Sequence, residues 1–193
     1  MFSKKIEINL EKPDDIIHLE PISDIHIGHA GFDEEHYKKR IKAISKDKNR
    51  YTFFGGDALD AITTYDKRFN PDMSLEHDID NQRLRWQDMT QPLFDIHAKS
   101  RNEKVWGFFH GNHDYKIPQI SRAYLQNTMC TPNDLTFMGS RGVMGLEVKY
   151  NRKVLAQWSI LFMHGSGGGK PERMMEQMKH NAYYDVFLCG HLH

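Results

Sequence analysis

At 193 residues and 22.7 kDa the chain is long enough for one compact domain, 1–193, and too short for two large ones. A mean hydropathy of −0.68, with 39% apolar and 27% charged residues, excludes collagen-like, low-complexity and membrane-embedded chains. Lys and Arg total 26 against 26 Asp and Glu, so no net field draws the whole molecule to nucleic acid or acidic lipid, and any basic surface is local. Cys130 and Cys189 stand far apart with no CxxC, which indicates neither a disulfide framework nor a zinc ribbon and fits a reduced, cytoplasmic setting. The charged start lacks a signal-type apolar region, and no run approaches the roughly 18 apolar residues of a membrane span. Histidine is the unusual count, at 12.

The period-two pattern of Ile6, Ile8 and Leu10 predicts a first strand, and Ile16 to Ile22 a second that runs into Ser23-Asp24-Ile25-His26. Asp33 can cap a helix whose apolar positions Tyr37, Ile41 and Ile44 share one face. A strand at Tyr51 to Phe54 then ends in Gly55-Gly56-Asp57. Strand, polar loop, helix and strand in this order read as α/β, because a parallel strand needs a crossover to return. Residues 66–101 read as an inserted, possible cap segment with a helix around Gln82 to Phe94 whose end Pro92 shapes. Val105 to Phe109 is a buried-strand run that stops at His110-Gly111-Asn112-His113-Asp114. A helix near Gln119 to Gln126 follows, then an antiparallel pair, Val143 to Tyr150 and Val154 to Met163, joined by Asn151-Arg152. A helix from about Glu172 to His180 and a strand from Asp185 to Cys189 lead to Gly190-His191-Leu192-His193.

Polar clusters therefore recur where strands end: Asp24-x-His26, Gly56-Asp57, Gly111-Asn112-His113-Asp114, His164-Gly165 and Gly190-His191-x-His193. In an extended D-x-H or H-x-H the period of two puts both side chains on one face, so one strand end can offer two ligands to one site. Carboxylate, amide oxygen and imidazole without thiolate suit Mn, Fe, Zn or a similar divalent ion. Seven ligands exceed the needs of one tetrahedral ion, and the two oxygens of Asp57 could reach two ions. Ions about 3.5–4 Å apart can hold a hydroxide between them and neutralise a phosphoryl group under attack, which points to displacement at phosphorus.

The ordered set Asp24-Ile-His26, Gly56-Asp57-Ala-Leu-Asp60, Gly111-Asn112-His113-Asp114, His164-Gly165 and Gly190-His191-Leu-His193 resembles the calcineurin-like metallophosphoesterases. The resemblance implies a four-layer αββα sandwich, lacking its C-terminal strands in this chain, and two divalent ions, Mn foremost with Fe, Zn, Ni or Mg as alternatives. It implies Asp24, His26, Asp57 and His193 around one ion, and Asp57, Asn112, His164 and His191 around the other. His113 would face substrate as a proton donor or charge stabiliser, oriented by Asp114. Because family domains continue past GHxH, the stop at His193 is read as a truncation of a longer protein.

Asp60 reads as a hydrogen-bonding residue behind the site and not as a ligand, and His18, His29, His36, His77, His97, His110 and His180 as solvated or structural. Gly165-Ser166-Gly167-Gly168-Gly169-Lys170 fails as a P-loop, since Pro171 replaces the Ser or Thr; a flexible rim with Lys170 and Arg173 as phosphate contacts is the reading kept. The protein Ser/Thr phosphatase branch does not fit, because Asp60 is followed by Ala61-Ile62 and not Arg-Gly. A phosphodiester, in nucleic acid or a nucleotide, is the predicted substrate, with phosphomonoester as the alternative and a non-catalytic metal-binding scaffold as the reading from another class. No membrane partner is indicated.

Overall fold

The computed structural model describes residues 1–115, 122–165, 172, 175–176 and 183–191. Ile6 and Ile8 are buried between outward-facing charges, which makes β1 (Phe2–Asn9) a half-buried strand. It pairs in parallel with β5 (Arg141–Tyr150). Strand β5 runs antiparallel to β6 (Lys153–His164), and β6 parallel to β7 (Val186–Gly190), for a sheet order β1-β5-β6-β7. The β5–β6 hairpin closes on Asn151 and Arg152, both left-handed at φ 48° and 66°, the backbone that a two-residue hairpin loop requires.

The second sheet is wholly parallel, in the order β2 (His18–Leu19), β3 (Arg50–Gly55), β4 (Val105–Phe109). Strand β2 is shorter than Ile16 to Ile22, yet the N–H groups of His18, Glu20 and Ile22 donate to Asn49, Tyr51 and Phe53. Pro21, which has no N–H, falls between the donors on this edge, where it costs the ladder nothing.

Alternation along β3 sets the layers. Tyr51 and Phe53 join Trp106 and Phe109 in packing against Ile6, Ile8, Met144, Leu146 and Phe162 of the other sheet. Phe54 and Phe108 point the opposite way, into the helices. Helix α1 (Glu34–Lys46) buries Tyr37, Ile41 and Ile44 as their spacing predicts, and the Asp33 carboxylate accepts the His36 N–H at 2.9 Å. Helix α2 (Ile79–His97), capped by Asp78, adds Trp86, Met89, Leu93 and Phe94 to the same core.

One expectation for residues 66–101 is corrected here. The helix belongs to the core layer, and Pro92 lies inside it and does not end it. The burial of Leu93, Phe94 and His97 carries the helix past the hydrogen bond that Pro92 removes, and His97 Nδ1 accepts the Val105 N–H at 3.2 Å.

Helices, a three-stranded sheet and a four-stranded sheet thus stack as an α/β fold. The helix predicted from about Glu172 to His180 lies largely outside the described residues, and Ser166 to Lys170, Arg173 and His193 lie outside them. The helix predicted near Gln119 is seen as α4 (Arg122–Leu125), which runs into a wide turn over Gln126–Cys130. Among the described residues no helix is long and apolar enough to cross a membrane.

Lys104 is 1% exposed, and its ammonium donates to the carbonyls of Asp47 and Arg50 beside the Tyr51 ring. Burial pushes its pKa down to about 8, against the opposing pull of Asp47. Between that value and its ordinary 10.5 the unfolded chain holds a proton that the folded chain has released, so this group's contribution to stability rises with pH across the window. Urea unfolding of wild type and Lys104→Met should show the difference moving in favour of the wild type from pH 8 to 10. A pH-independent difference would refute the assignment.

Candidate metal centre

The candidate residues lie where β3, β4, β6 and β7 end: Gly56-Asp57 after β3, α3 (Asn112–Tyr115) after β4, His164 closing β6 and His191 following β7. Carboxyl ends of parallel strands are where an α/β sheet opens a crevice.

The local backbone is unusual. Asp24, His26, Asp57 and His191 all have positive φ, at 56°, 51°, 49° and 81°. Such values are uncommon outside glycine and cluster at functional sites. They correct the period-two reading of Asp24-x-His26. The segment is not an extended strand but follows the turn after β3, with Asp24 N–H donating to Gly56, His26 to Asp57 and Ile27 to Ala58.

Asp24 and His26 fall in different groups of candidate ligands. The ligand atoms of Asp24, Asp57, His164 and His191 lie within 4.8 Å of one another, and those of His26, Asp57 and His113 form a second such group. Asp57 belongs to both. The resemblance groups Asp24 with His26; here Asp24 sits with His164 and His191, and His113 joins His26. His193 lies outside the described residues.

Hydrogen bonds fix each ring. His164 is buried and its Nδ1 lies 2.7 Å from the Gly55 carbonyl, so Nδ1–H donates there and Nε2 faces Asp57 Oδ2 at 3.2 Å. His113 Nδ1 lies 2.7 Å from the Asp60 carbonyl, which likewise leaves Nε2 toward the cleft. The His26 and His113 rings meet edge to face at 4.6 Å. Asp24 is held by the Ser23 hydroxyl at 2.5 Å and by the His191 N–H at 3.0 Å.

Charge is balanced toward cations. Burial works to lower the His164 pKa, but Asp57 and Asp24 outweigh it and the pKa is raised; His26 is raised likewise, burial opposing Asp60, Asp57 and Asp24. Burial works to raise the Asp57 carboxyl, yet His164 and His113 lower it. Asn112 Oδ1 is buried with no hydrogen-bond partner among the described residues, an arrangement that costs about 1–3 kcal/mol unless something else satisfies the oxygen. Oxygen and imidazole donors around a shared carboxylate, beside an unsatisfied amide oxygen, fit divalent ions.

The expectation for Asp114 is corrected. Its buried carboxylate accepts the N–H groups of Asp57 at 2.8 Å and Gly111 at 2.9 Å, and does not orient the His113 ring. The two residues are neighbours on one short helical turn, where adjacent side chains point apart. The imidazole is fixed instead by the backbone of Asp60, which sits behind the site as its reading required, with its carboxylate 3.6 Å from His26 Nδ1. Burial, then the charge of Asp57, pushes Asp114 up to about 6 against the pull of its N–H partners.

Sequence reasoning missed Ser23, Gln82 and Arg68. Gln82 is fully buried on α2, where Thr90 and His97 are buried polar residues too, and accepts the Ala61 N–H at 3.0 Å. Arg68 Nη1 lies 3.2 Å from His113 Nε2.

Two substitutions separate scaffold from ligand. The Asp57 and Gly111 N–H groups share Asp114 Oδ2 while the Leu59 N–H lies 3.5 Å from Oδ1, so Asp114→Asn should set its NH2 against the Leu59 N–H, lowering unfolding free energy by about 1–3 kcal/mol in denaturant titration and metal affinity by roughly 10–100-fold in calorimetry. In Gly111→Ala the new Cβ would meet the Asp57 carboxylate and, at 2.6 Å, its backbone nitrogen, so metal binding should be lost. Unchanged affinity in both would show that the turn does not shape the site.

No family model matches the sequence, and no curated protein matches it. Among solved structures the chain is similar to the crystal structure of the calcineurin-like phosphoesterase YfkN from Bacillus subtilis, at 13% identity and a TM-score of 0.35. The match covers 84% of this chain and 51% of that one, so the chain spans about half the length of the structure it matches.

Proposed function

We propose that the protein is a metal-dependent phosphoesterase acting on a phosphodiester, in nucleic acid or a nucleotide, with a phosphomonoester as the alternative substrate. The observation that carries this reading is Asp57, one carboxylate shared by two groups of oxygen and nitrogen donors. Asp24, His26, Asp57, Asn112, His164, His191 and His193 are the residues assigned to hold two divalent ions, Mn first among Mn, Fe, Zn, Ni and Mg. Such ions supply a nucleophile from water at neutral pH and offset charge on the phosphoryl group.

The chain's own residues position the rest. A cleft of about 450 Å³ beside Asp24, His26 and His113 is walled by Ile25, Phe32 and Ile62. An apolar wall next to the polar centre supports an ester carrying a second organic group, hence the diester. His113 presents Nε2 to this cleft while Nδ1 donates to Asp60. Burial lowers its pKa, with His26 and Arg68 adding to the effect, which favours the neutral ring; a proton taken from solvent at Nε2 is therefore readily passed on to a leaving oxygen. The free thiols of Cys130 and Cys189 support a reduced, cytoplasmic setting.

After chelation and return of Mn²⁺, wild type should cleave bis-p-nitrophenyl phosphate faster than p-nitrophenyl phosphate, and Asp57→Asn should abolish both activities. Cleavage of the monoester alone would replace the diester reading, and two bound ions with neither ester cleaved would sink the phosphoesterase. His113→Ala should cost about 10²–10⁴-fold in kcat on a diester with an alkoxide leaving group. The loss should be smaller with p-nitrophenolate, which departs without a proton.

A further inference from the structure

The loop after β3 holds a cation that the metal reading does not use. Arg68 and Asp66 form a side-on pair, Nε to Oδ1 at 3.0 Å and Nη2 to Oδ2 at 2.6 Å, while the Arg68 N–H donates to Asp66 Oδ1 at 2.9 Å. Asp66 therefore occupies one edge of the guanidinium and leaves Nη1 outside the pair. Nη1 points inward, 3.2 Å from His113 Nε2. The His113 N–H donates to Asp57 Oδ1 at 2.8 Å, so one residue separates this cation from the shared carboxylate.

The loop is anchored at its far end. Ala30 N–H donates to Met73 at 2.7 Å, and Leu75 N–H to Gly28 at 2.8 Å, which ties the segment after Arg68 to the turn that follows Asp24 and His26. An ordinary surface ion pair contributes only about 0–1 kcal/mol. Holding a guanidinium by one edge so that its other nitrogen faces the His113 ring has a different use, because it leaves a charged donor already oriented for an anion beside that ring.

We propose that Arg68 is a substrate-binding residue whose Nη1 takes a non-bridging phosphoryl oxygen, with Asp66 positioning the guanidinium. This deepens the phosphoesterase reading and rests on it for the identity of the anion. The phosphoryl oxygen replaces His113 Nε2 as the acceptor of Nη1–H. Binding thereby frees Nε2 to take a proton from solvent, which it can then pass to the leaving oxygen, and offsets the positive charge beside it.

The test measures binding apart from turnover. Inorganic phosphate is titrated calorimetrically into Mn²⁺-loaded wild type, Arg68→Met, Arg68→Lys and Asp66→Asn, and KM and kcat for bis-p-nitrophenyl phosphate are measured on the same samples. Arg68→Met should weaken phosphate binding by about 10–100-fold and raise KM. Arg68→Lys should recover part of the loss, since it restores charge without the fork, and Asp66→Asn should lose less than Arg68→Met. Thermal midpoint and Mn²⁺ stoichiometry should stay at wild-type values, so the weakened phosphate binding and raised KM, which a merely structural surface pair would not produce, report the anion contact itself. Phosphate affinity of Arg68→Met within twofold of wild type, or no phosphate binding by wild type, overturns the proposal. If wild type binds phosphate, Arg68→Met weakens that binding and neither protein cleaves either ester, the anion site stands and the phosphoesterase reading falls.

Discussion

A single buried carboxylate ties the two loops of the parallel sheet together. Asp114 accepts the backbone N–H groups of Asp57 and Gly111, joining the turn after β3 to the turn after β4. Backbone donors buried in such turns have no strand to pair with, so without this acceptor both would be left unsatisfied. With it, the Asp57 side chain is aimed at the centre, and the His113 N–H returns to Asp57 Oδ1. A glycine at 111 follows from the same constraint, since the two turns approach until only a hydrogen fits between them.

The candidate centre then grows outward from Asp57 in two directions. On one side Ser23 and the His191 N–H steady Asp24, and Gly55 sets the tautomer of His164. On the other, Asp60 fixes His113 through its carbonyl and approaches His26 with its carboxylate. Backbone carbonyls set both ring orientations, so the tautomers depend on the fold rather than on further side chains that mutation could remove. The carboxylates concentrated around the imidazoles give the site a field that favours cations, while Arg68 at the rim offers the opposite sign to an anion approaching from solvent.

Much of this was legible in the residues. Helix α1 follows from Asp33 and the Tyr37, Ile41, Ile44 stripe, and the β5–β6 hairpin from two apolar runs around Asn151-Arg152. Grouping polar residues at strand ends anticipates which side chains meet, because period-two burial and a parallel sheet leave few other places for them. Three things were not legible. The left-handed backbone at Asp24 and His26 arises from hydrogen bonds to the distant β3 turn, which no local propensity encodes. The extent of α2 depends on tertiary burial of Leu93 and His97, which overrides the proline. The target of Asp114 is a set of backbone donors, and a side chain's adjacency to His113 in sequence carries no information about them.

The left-handed residues also limit how such a centre can be copied. Asp24, His26, Asp57 and His191 aim their side chains from a backbone that most hosts reserve for glycine. Grafting the same side chains onto the strand ends of another α/β protein would reproduce the composition but point the ligands along ordinary extended directions. A designer would have to transplant the turns, with Gly111 and Asp114 beneath them, before the chemistry could follow.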